Sequence, residues 1–366
     1  MWIVIFAMML ICGIGGLVYL LTRFRKFAFM KKLSGGKKFL SWFLAAVPLL
    51  MIGCFWFINM FALIVVLIHL ALFWLIADLI GLAVIRVRKK KSRLYIPGAA
   101  AILFTAVYLG IGWYLAHHVF RTDYSFTTEK SLGQDSLRVV EIADFHLGIT
   151  LDGDQFSEEM KRVEEESPDI VIIAGDFVDD DSQKADMIKA CAALDIKTTY
   201  GVYFVYGNHD KGYYSYRDFD SEQLDAELVK NNVTILRDET VLVNDSFYIT
   251  GRRDKSEGER EDMASLSHDL DPSKYHIVID HQPNSYSEEA ESGADLVLSG
   301  HTHGGHIWPA GQIGLLIGAN DRIYGTEVRK DTTFVVTSGI SGWAIPFKTG
   351  TKSEYVVIDI KEKKAS

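Results

Sequence analysis

Eight polar side chains of the types that bind metals or transfer protons stand directly after short apolar runs in the second part of the sequence. In chain order they are Asp144, His146, Asp176, Asn208, His209, His281, His301 and His303. Asp, Asn and neutral His supply oxygen and nitrogen donors that suit divalent first-row metals such as Zn, Mn and Fe. A turn after a strand explains any single Asp or Asn, because these residues favour turns. No turn requires His at five of these positions.

The number of donors indicates how many ions they would hold. One ion does not need as many as seven of these eight side chains as ligands, whereas two ions that share one carboxylate use seven. Such a pair lowers the pKa of a bridging water and contacts both the attacking and the leaving oxygen of a phosphoryl displacement. Asp144 and His146 are two residues apart, as are His301 and His303, so each pair shares one face of an extended strand. The pattern predicts a two-metal site for phosphoryl chemistry.

The segments that precede these side chains have the character of buried strands. They are short and rich in β-branched residues, and polar, partly helical stretches such as 154–168 and 181–195 separate them. Apolar strands that alternate with amphipathic helices predict an α/β layered core. In open α/β sheets the ligand site lies at the carboxyl ends of the strands. The eight side chains stand at such ends in five groups, namely Asp144 with His146, Asp176, Asn208 with His209, His281, and His301 with His303.

In this order, the blocks DFH, GDFVD, GNHD, DH and GHTH resemble the five blocks of the calcineurin-like metallophosphoesterases. The resemblance covers about residues 137–360. It implies a four-layer αββα sandwich with two divalent metal ions (Mn, Zn, Fe or Co) at one edge. Position by position, it implies that Asp144, His146 and His303 hold the first ion, that Asn208, His281 and His301 hold the second, and that Asp176 bridges them.

The same resemblance assigns roles to residues beside the ligands. His209 matches the family's non-ligand histidine, which would donate a proton to the leaving oxygen or stabilise charge on the phosphoryl group. Asp210 would orient His209, and Asp179 is not expected to be a ligand. The implied reaction is hydrolysis of phosphomonoester, phosphodiester or pyrophosphate bonds by a metal-bridging hydroxide, without a covalent intermediate.

The longer run GHTHGGHIWP resembles a branch of membrane-associated bacterial phosphoesterases that includes a UDP-diacylglucosamine diphosphatase. That branch has Gln where this chain has His306, so His306 either touches the substrate or packs. The branch also tends to have Asn-Arg-Gly and Pro-x-Arg near its C-terminus, where this chain has TSG at 337–339 and PFK at 346–348. The resemblance therefore supports the metal chemistry but does not identify the substrate.

Two loops hold further candidates. The segment 211–216 (KGYYSY) follows GNHD, and its aromatic rings would stack on a base, line a lipid cleft or simply pack. Arg252 and Arg253 follow the run SFYITG. They would either contact phosphate through bidentate hydrogen bonds or be solvated surface residues, which is the commoner case.

Charge divides the chain into two parts. Residues 1–118 contain one acidic residue, Asp78, whereas residues 119–366 contain 46 Asp and Glu against 25 Lys and Arg, a net charge of −21. Such an acidic part repels DNA and RNA, which argues against nucleic-acid binding, and bound cations would offset its field at a phosphate site. We expect a transmembrane region at 1–118, a linker at 119–136 and the metallophosphoesterase domain at 137–366.

Four apolar runs, at about 2–22, 39–56, 60–85 and 95–117, reach the roughly 20 residues that a helix needs to cross a bilayer. The first run has no basic segment before it, which favours a retained anchor over a cleaved signal peptide. His69 and Asp78 lie in the third run. An intramembrane carboxylate is a functional candidate unless it pairs with a neighbouring helix or reaches the interface.

Basic residues follow the first and the third run, and the rule that positive loops stay inside places both loops in the cytoplasm. The predicted protein is therefore a multi-pass integral membrane protein of four spans with an extracytoplasmic catalytic domain. Its substrate would be a phosphorylated small molecule or a lipid-linked one. The alternative is a receptor or scaffold with the same fold and no activity, which the complete set of expected ligands disfavours.

Overall fold

A computed structural model describes residues 2–90, 92, 94–213 and 217–363, with side chains from Gly13 onward. The chain divides into two compact units, Met1–Gly112 and Trp113–Ser366. Tyr214 and Tyr216 of the aromatic loop lie outside the described residues.

The first unit is helical. Its helices are α1 (Trp2–Phe24), α2 (Ala28–Ser34), α3 (Lys38–Ile52), α4 (Met60–Arg88) and the larger part of α5 (Ile96–His117). Within the described residues, three stretches are long and apolar enough to cross a membrane, namely Lys38–Phe57, Met60–Arg88 and Ile96–His117. They coincide with the last three apolar runs of the sequence. The described apolar part of α1, Gly13–Phe24, is shorter than a span, so the count of four spans stays a prediction.

Asp78 pairs with neighbouring side chains of the first unit. Its Oδ2 lies 2.7 Å from Nε of Arg23 and 3.5 Å from Nζ of Lys26, and its Oδ1 accepts a 2.6 Å hydrogen bond from the hydroxyl of Tyr95. A shielded carboxylate needs partners of this kind to offset its desolvation. The contacts favour the pairing alternative for Asp78.

The second unit contains two six-stranded sheets. The strands in chain order are β1 (Val119–Thr128), β2 (Ser136–Ile142), β3 (Ile170–Ala174), β4 (Val202–Val205), β5 (Val233–Ile235), β6 (Glu239–Val243), β7 (Phe247–Gly251), β8 (Tyr275–Ile279), β9 (Leu296–Ser299), β10 (Gly325–Arg329), β11 (Thr332–Val336) and β12 (Ser353–Glu362). The first sheet has the order β1-β12-β2-β3-β4-β5, and the second has the order β10-β11-β9-β8-β7-β6.

Helices cover the outer faces of both sheets. The helices of this unit are α6 (Gly153–Glu165), α7 (Lys184–Ala192), α8 (Ser221–Lys230), α9 (Met263–Ser267), α10 (Tyr286–Glu291) and α11 (Ala310–Leu316). Alternation along β2 shows the layering, because Val139 packs between the sheets while Val140 packs under α6 to α8. Residues of α9 and α10 pack on the outer face of the second sheet. The predicted α/β four-layer sandwich is confirmed.

The segment predicted as a linker, 119–136, instead begins with a strand. Over all ten of its residues β1 pairs in parallel with β12, from Val119 with Ser353 to Thr128 with Glu362. The strand contains no Pro or Gly, and its residues alternate between half-buried and exposed along most of its length. This pattern fits a half-buried edge strand. The linker prediction was therefore wrong for 119–128, and the domain limits otherwise remain a prediction.

The register of the strands brings the candidate ligands to one edge of each sheet. In the first sheet, Ile142 lies beside Ile173 and Ala174 lies beside Val205, so three parallel strands end level with one another. In the second sheet, Ile279 lies beside Leu298. The loops that follow these strands carry the predicted ligands, since parallel strands deliver their carboxyl ends to a common edge.

Arg252 follows β7 and is buried. It is therefore neither a solvated surface residue nor free to bind the phosphate of a substrate. Its guanidinium lies 3.3 Å from Oδ2 of Asp280, 3.4 Å from Oε1 of Glu289 and 2.9 Å from Oε1 of Glu288. Arg253 is 40% exposed in its side chain and pairs with Asp238 at 3.6 Å. Both alternatives raised by the sequence are wrong for Arg252, which ties β7 to the end of β8 and to α10.

We predict that Arg252→Met lowers the free energy of unfolding by about 3–5 kcal/mol, because Asp280 and Glu289 lose a partner in a buried site. Arg253→Met, the matched control, should change it by no more than about 0.5 kcal/mol. Thermal or denaturant unfolding of the full chain in detergent measures both. Equal stability of the two variants would contradict the proposed role of Arg252.

Candidate metal centre

The predicted ligands meet where the strands of both sheets end. Asp144, His146, Asp176 and Asn208 follow β2, β3 and β4 of the first sheet, while His281, His301 and His303 follow β8 and β9 of the second. Contacts connect the two groups, since the backbone N–H of His301 donates to Oδ1 of Asp144 at 2.9 Å. The structure thus brings all seven predicted ligand residues to one place.

A first cluster consists of Asp144, His146 and His303, whose ligand atoms all lie within 4.8 Å of one another. Nε2 of His146 is 3.2 Å from Nε2 of His303. Nδ1 of His146 faces a carboxylate oxygen of Asp179 at 2.9 Å and therefore carries the proton. Nδ1 of His303 faces the carbonyl oxygen of Ser341 at 3.4 Å. In the neutral rings the two Nε2 lone pairs therefore point at each other and repel unless a proton or a metal cation lies between them.

A second cluster consists of Asp176, His281 and His301. Nδ1 of His281 donates to the carbonyl oxygen of Ala174 at 2.8 Å, which leaves Nε2 to face the site. Burial lowers the pKa of His281, but Asp176 outweighs it and raises that pKa well above its usual value, so this imidazole is positively charged unless a cation takes the place of its proton. That Nε2 is buried with no hydrogen-bond partner among the described residues, and it lies 3.1 Å from Oδ2 of Asp176. Asn208 completes this side, with its Oδ1 2.9 Å from Nδ1 of His301. Here too, nitrogen and oxygen donors face a common space, which a cation would occupy in place of the proton on His281.

Asp176 stands between the two clusters. The Oδ2 that is 3.1 Å from Nε2 of His281 is also 3.5 Å from Nε2 of His146. Its other oxygen accepts a 2.8 Å hydrogen bond from the backbone N–H of His209, which fixes the carboxylate plane. A carboxylate in this position is suited to bridge two ions.

The protonation states fit metal binding. Burial lowers the pKa of His301 to about 4 and that of His303 well below its usual range, so both imidazoles are neutral, as metal ligands must be. Burial by itself would raise the pKa of Asp176, but His281 and His146 outweigh it and hold that pKa well below its usual value. The donor set therefore fits a divalent cation.

The backbone at these ligands is strained. Five of them have a left-handed backbone, with φ of 53° at Asp144, 41° at His146, 52° at Asp176, 70° at His301 and 48° at His303. Each such non-glycine residue costs about 1–3 kcal/mol and persists only where its surroundings fix it. A close approach of Gly207 helps to fix Asp176, because a Cβ on Gly207 would lie 2.2 Å from Oδ1 of Asp176. Strain of this kind is typical of functional sites.

His209 lies beside the first cluster. Its ring centroid is 5.0 Å from that of His146, and its Nδ1 lies 3.2 Å from Oδ1 of Asp179. Burial lowers the pKa of His209, but the contacts with Asp179 and Asp176 outweigh it and raise that pKa above its usual value. With Nδ1 held by Asp179, Nε2 is the nitrogen left to meet a substrate.

The predicted role of Asp210 was wrong. Its carboxylate does not contact His209 but accepts four backbone hydrogen bonds of 2.7–2.9 Å, from the N–H groups of Asp176, Phe177, Val178 and Gly207. Asp210 thereby shapes the loop that holds Asp176. Asp179 orients both His146 and His209. The sequence pointed to Asp210 because it is next to His209 in GNHD, and it gave no sign that Asp179, 30 residues away in GDFVD, contacts His209.

Aromatic side chains surround the exposed side of His209. Its ring lies 5.1 Å from that of Tyr213 and 5.3 Å from that of Trp343. Tyr213 is 58% exposed and Trp343 is 42% exposed. The hydroxyl of Tyr213 accepts a hydrogen bond of 2.9 Å from Nδ2 of Asn208. Tyr213 therefore lies at the mouth of the site and is not ordinary interior packing.

His306 packs between the first cluster and the C-terminal loop, and its ring centroid lies 5.2 Å from that of His303. Its Nε2 lies 3.0 Å from the carbonyl oxygen of Ile345, and burial lowers its pKa to about 3. The packing alternative for His306 is therefore favoured over substrate contact.

Comparison with known proteins gives the family. The model of the calcineurin-like phosphoesterases matches residues 137–305, a range that includes all seven candidate ligands. A metallophosphoesterase of Aquifex aeolicus is 32% identical over 270 residues, which cover 71% of this chain and 99% of the relative. The chain belongs to the metallophosphoesterase family. It is accordingly a hydrolase of phosphoester bonds, in a family that typically binds divalent metals.

Two further relatives show how far the similarity extends. A metallophosphoesterase of Campylobacter jejuni is 32% identical over 62% of this chain and 60% of its own length. A cattle (Bos taurus) protein named "Transmembrane protein with metallophosphoesterase domain" is 29% identical over 60% of this chain and 52% of its own length. The matches therefore span little more than half of these two relatives. The name of the second relative agrees with the three helices of this chain that are long and apolar enough to cross a membrane.

We predict that Asp179→Asn reduces metal affinity by about 10–100-fold. A neutral amide has one oxygen, so it cannot accept hydrogen bonds from both His146 and His209, and it no longer polarises the imidazole of His146. The measurement is the metal content of the full chain after dialysis against a metal buffer. Asp181→Asn, at an exposed neighbour in the same loop, is the control. Equal metal retention by the two variants would show that Asp179 does not support the site.

Proposed function

We propose that this metallophosphoesterase is a membrane-anchored, two-metal hydrolase that cleaves phosphoester or pyrophosphate bonds. The observation that carries the proposal is the position of Oδ2 of Asp176, which is close to Nε2 of His146 in one cluster and to Nε2 of His281 in the other. Two sets of acceptors that meet at one carboxylate oxygen support a pair of ions more than a single one.

In this proposal each ion has its own ligands and both share Asp176. The first is held by Asp144, His146 and His303, and the second by Asn208, His281 and His301. Zn, Mn, Fe and Co all suit this mixture of nitrogen and oxygen donors. When bound, the ions would lower the pKa of a water between them so that it attacks phosphorus, and would offset the negative charge of the phosphoryl group.

His209 supplies the proton that the leaving group needs. The bond from phosphorus to the water oxygen forms, the bond to the leaving oxygen breaks, and the proton moves from Nε2 of His209 to that oxygen. Asp179 holds Nδ1 of His209 and so directs Nε2 toward the site. Asp210 supports the site indirectly, because its carboxylate holds the loop that positions Asp176.

The membrane part is proposed to cross the bilayer four times. The basic loops that follow the first and third apolar runs favour a cytoplasmic position for both. The metal centre is then extracytoplasmic, in a compartment where lipid-linked or soluble phosphoesters would be its substrates.

We predict that Asp176→Asn abolishes turnover, largely through loss of metal, and that His209→Ala lowers it by about 10²–10⁴-fold while metal stays bound. The assay uses the full chain in detergent with Mn, Zn, Fe or Co. Its substrates are aryl phosphomonoesters, aryl phosphodiesters, nucleotide-sugar lipids and phospholipids. Asp181→Asn serves as the control. Full turnover in both site variants would refute the assignment, and two bound ions without turnover of any substrate would favour the scaffold alternative.

We also predict that alkaline phosphatase fused after Ser366 is active, because that enzyme requires an extracytoplasmic position, and that a fused β-galactosidase is inactive. The two fusions together measure the orientation directly. The reverse pattern would overturn the proposed orientation and leave the metal chemistry untouched.

A further inference from the structure

An exposed apolar segment, residues 307–317, directly follows the turn that carries His303. Leu316 is 86% exposed, Ile317 is 72% exposed and Trp308 is 58% exposed. The sequence has no Asp, Glu, Lys or Arg from Gly304 to Asn320, although the part after residue 118 is strongly acidic. Contiguous exposed apolar groups of this kind mark interaction surfaces.

The apolar segment is fixed to the metal-binding turn. Gly311 in α11 packs on Gly305, so closely that a Cβ on Gly311 would lie 2.5 Å from Cα of Gly305. His303 and Gly305 belong to the same short 3₁₀ turn. Whatever the apolar segment binds is therefore held next to the candidate metal centre.

A chain of contacts within the second unit connects the apolar segment to the end of a candidate membrane span. The last turn of α5, from Trp113 onward, belongs to this unit, and the ring of Trp113 lies 5.7 Å from that of Phe347. Two residues on, Thr349 donates its backbone N–H to the carbonyl of His306 at 2.9 Å, and its Oγ1 accepts from the N–H of Trp308 at 3.1 Å. These contacts link the apolar segment to the C-terminal end of α5, which is a candidate membrane span.

The charges favour a bilayer as the occupant. The net negative charge of the second unit repels an anionic membrane surface. The apolar segment has no charged residue, so it is not repelled in this way. Trp308 and the aliphatic side chains of α11 are residue types that enter the interface between headgroups and acyl chains.

We propose that the apolar segment inserts into the surface of the membrane that holds α5, and that the metal centre therefore acts on phosphates of lipid-linked, amphiphilic molecules in the headgroup layer. The substrate class rests on the hydrolase function proposed above, whereas the insertion does not. Tyr213 and Trp343, exposed beside His209, supply apolar surface for such a molecule at the mouth of the site.

Fluorescence quenching in nanodiscs tests the insertion. The full chain carries Cys12→Ser and Cys54→Ser, keeps the buried Cys191, and receives Leu316→Cys labelled with an environment-sensitive dye. The matched control is Val229→Cys, because Val229 lies on α8 and its side chain is 62% exposed. Helix α8 packs beside β5, at the edge of the first sheet that is opposite to β1. We expect doxyl-labelled phosphatidylcholine to quench the dye at 316 and not at 229. No quenching at 316 overturns the insertion, and a blue-shifted but unquenched dye would indicate a second copy of the chain there instead.

The substrate class is tested by a ratio of turnovers. The variant Leu316→Ser with Ile317→Ser should lower turnover of a vesicle-embedded nucleotide-sugar lipid, relative to a soluble aryl phosphodiester, by about tenfold or more, since two exposed apolar side chains no longer enter the lipid. Val229→Ser should leave the ratio as it is. An unchanged ratio in the first variant overturns the lipid-linked substrate. If the unaltered chain turns over no phosphoester, the hydrolase function fails, and the quenching result still decides the insertion.

Discussion

Repulsion among acceptor atoms around Oδ2 of Asp176 is the constraint on which the candidate site depends. Nε2 of His146 and Nε2 of His303 face each other at 3.2 Å, and Nε2 of His281 faces the carboxylate at 3.1 Å. The other nitrogen of each ring points at an oxygen, so in their neutral form these imidazoles have no donor left for the interior of the site. Only positive charge, as protons or as cations, makes this arrangement favourable. Two shared cations would satisfy all of the acceptors at once.

The fold supplies the rigidity that such an arrangement needs. Parallel strands of both sheets end at one edge, so ligands that are distant in sequence converge there. Left-handed turns at Asp144, Asp176 and His303 aim the side chains inward, at a cost that the packed core has to offset. Four backbone N–H groups gathered by Asp210 hold the loop of Asp176 in place. The site is therefore largely formed by the protein itself.

The sequence predicted the layers of the second unit and the residues that converge, because both depend on short-range patterns. Apolar strands that end in His, Asp or Asn are visible without a structure. The sequence could not assign partners across the site, as Asp179 and Asp210 show. Asp210 is next to His209 in the sequence, whereas Asp179, 30 residues away, is the carboxylate that contacts its ring. The sequence also missed β1, because this half-buried strand has many polar residues. It missed the burial of Arg252 as well, because the acidic partners of Arg252 lie 28 to 37 residues further along the chain.

Electron paramagnetic resonance of the full chain loaded with Mn²⁺ tests the central claim most directly. Two ions joined by the carboxylate of Asp176 are magnetically coupled, and they give a spectrum with many closely spaced lines that is absent from Asp176→Asn. We expect that coupled signal to reach its maximum at two ions per chain. An isolated six-line signal that saturates at one ion per chain would contradict the shared-carboxylate pair.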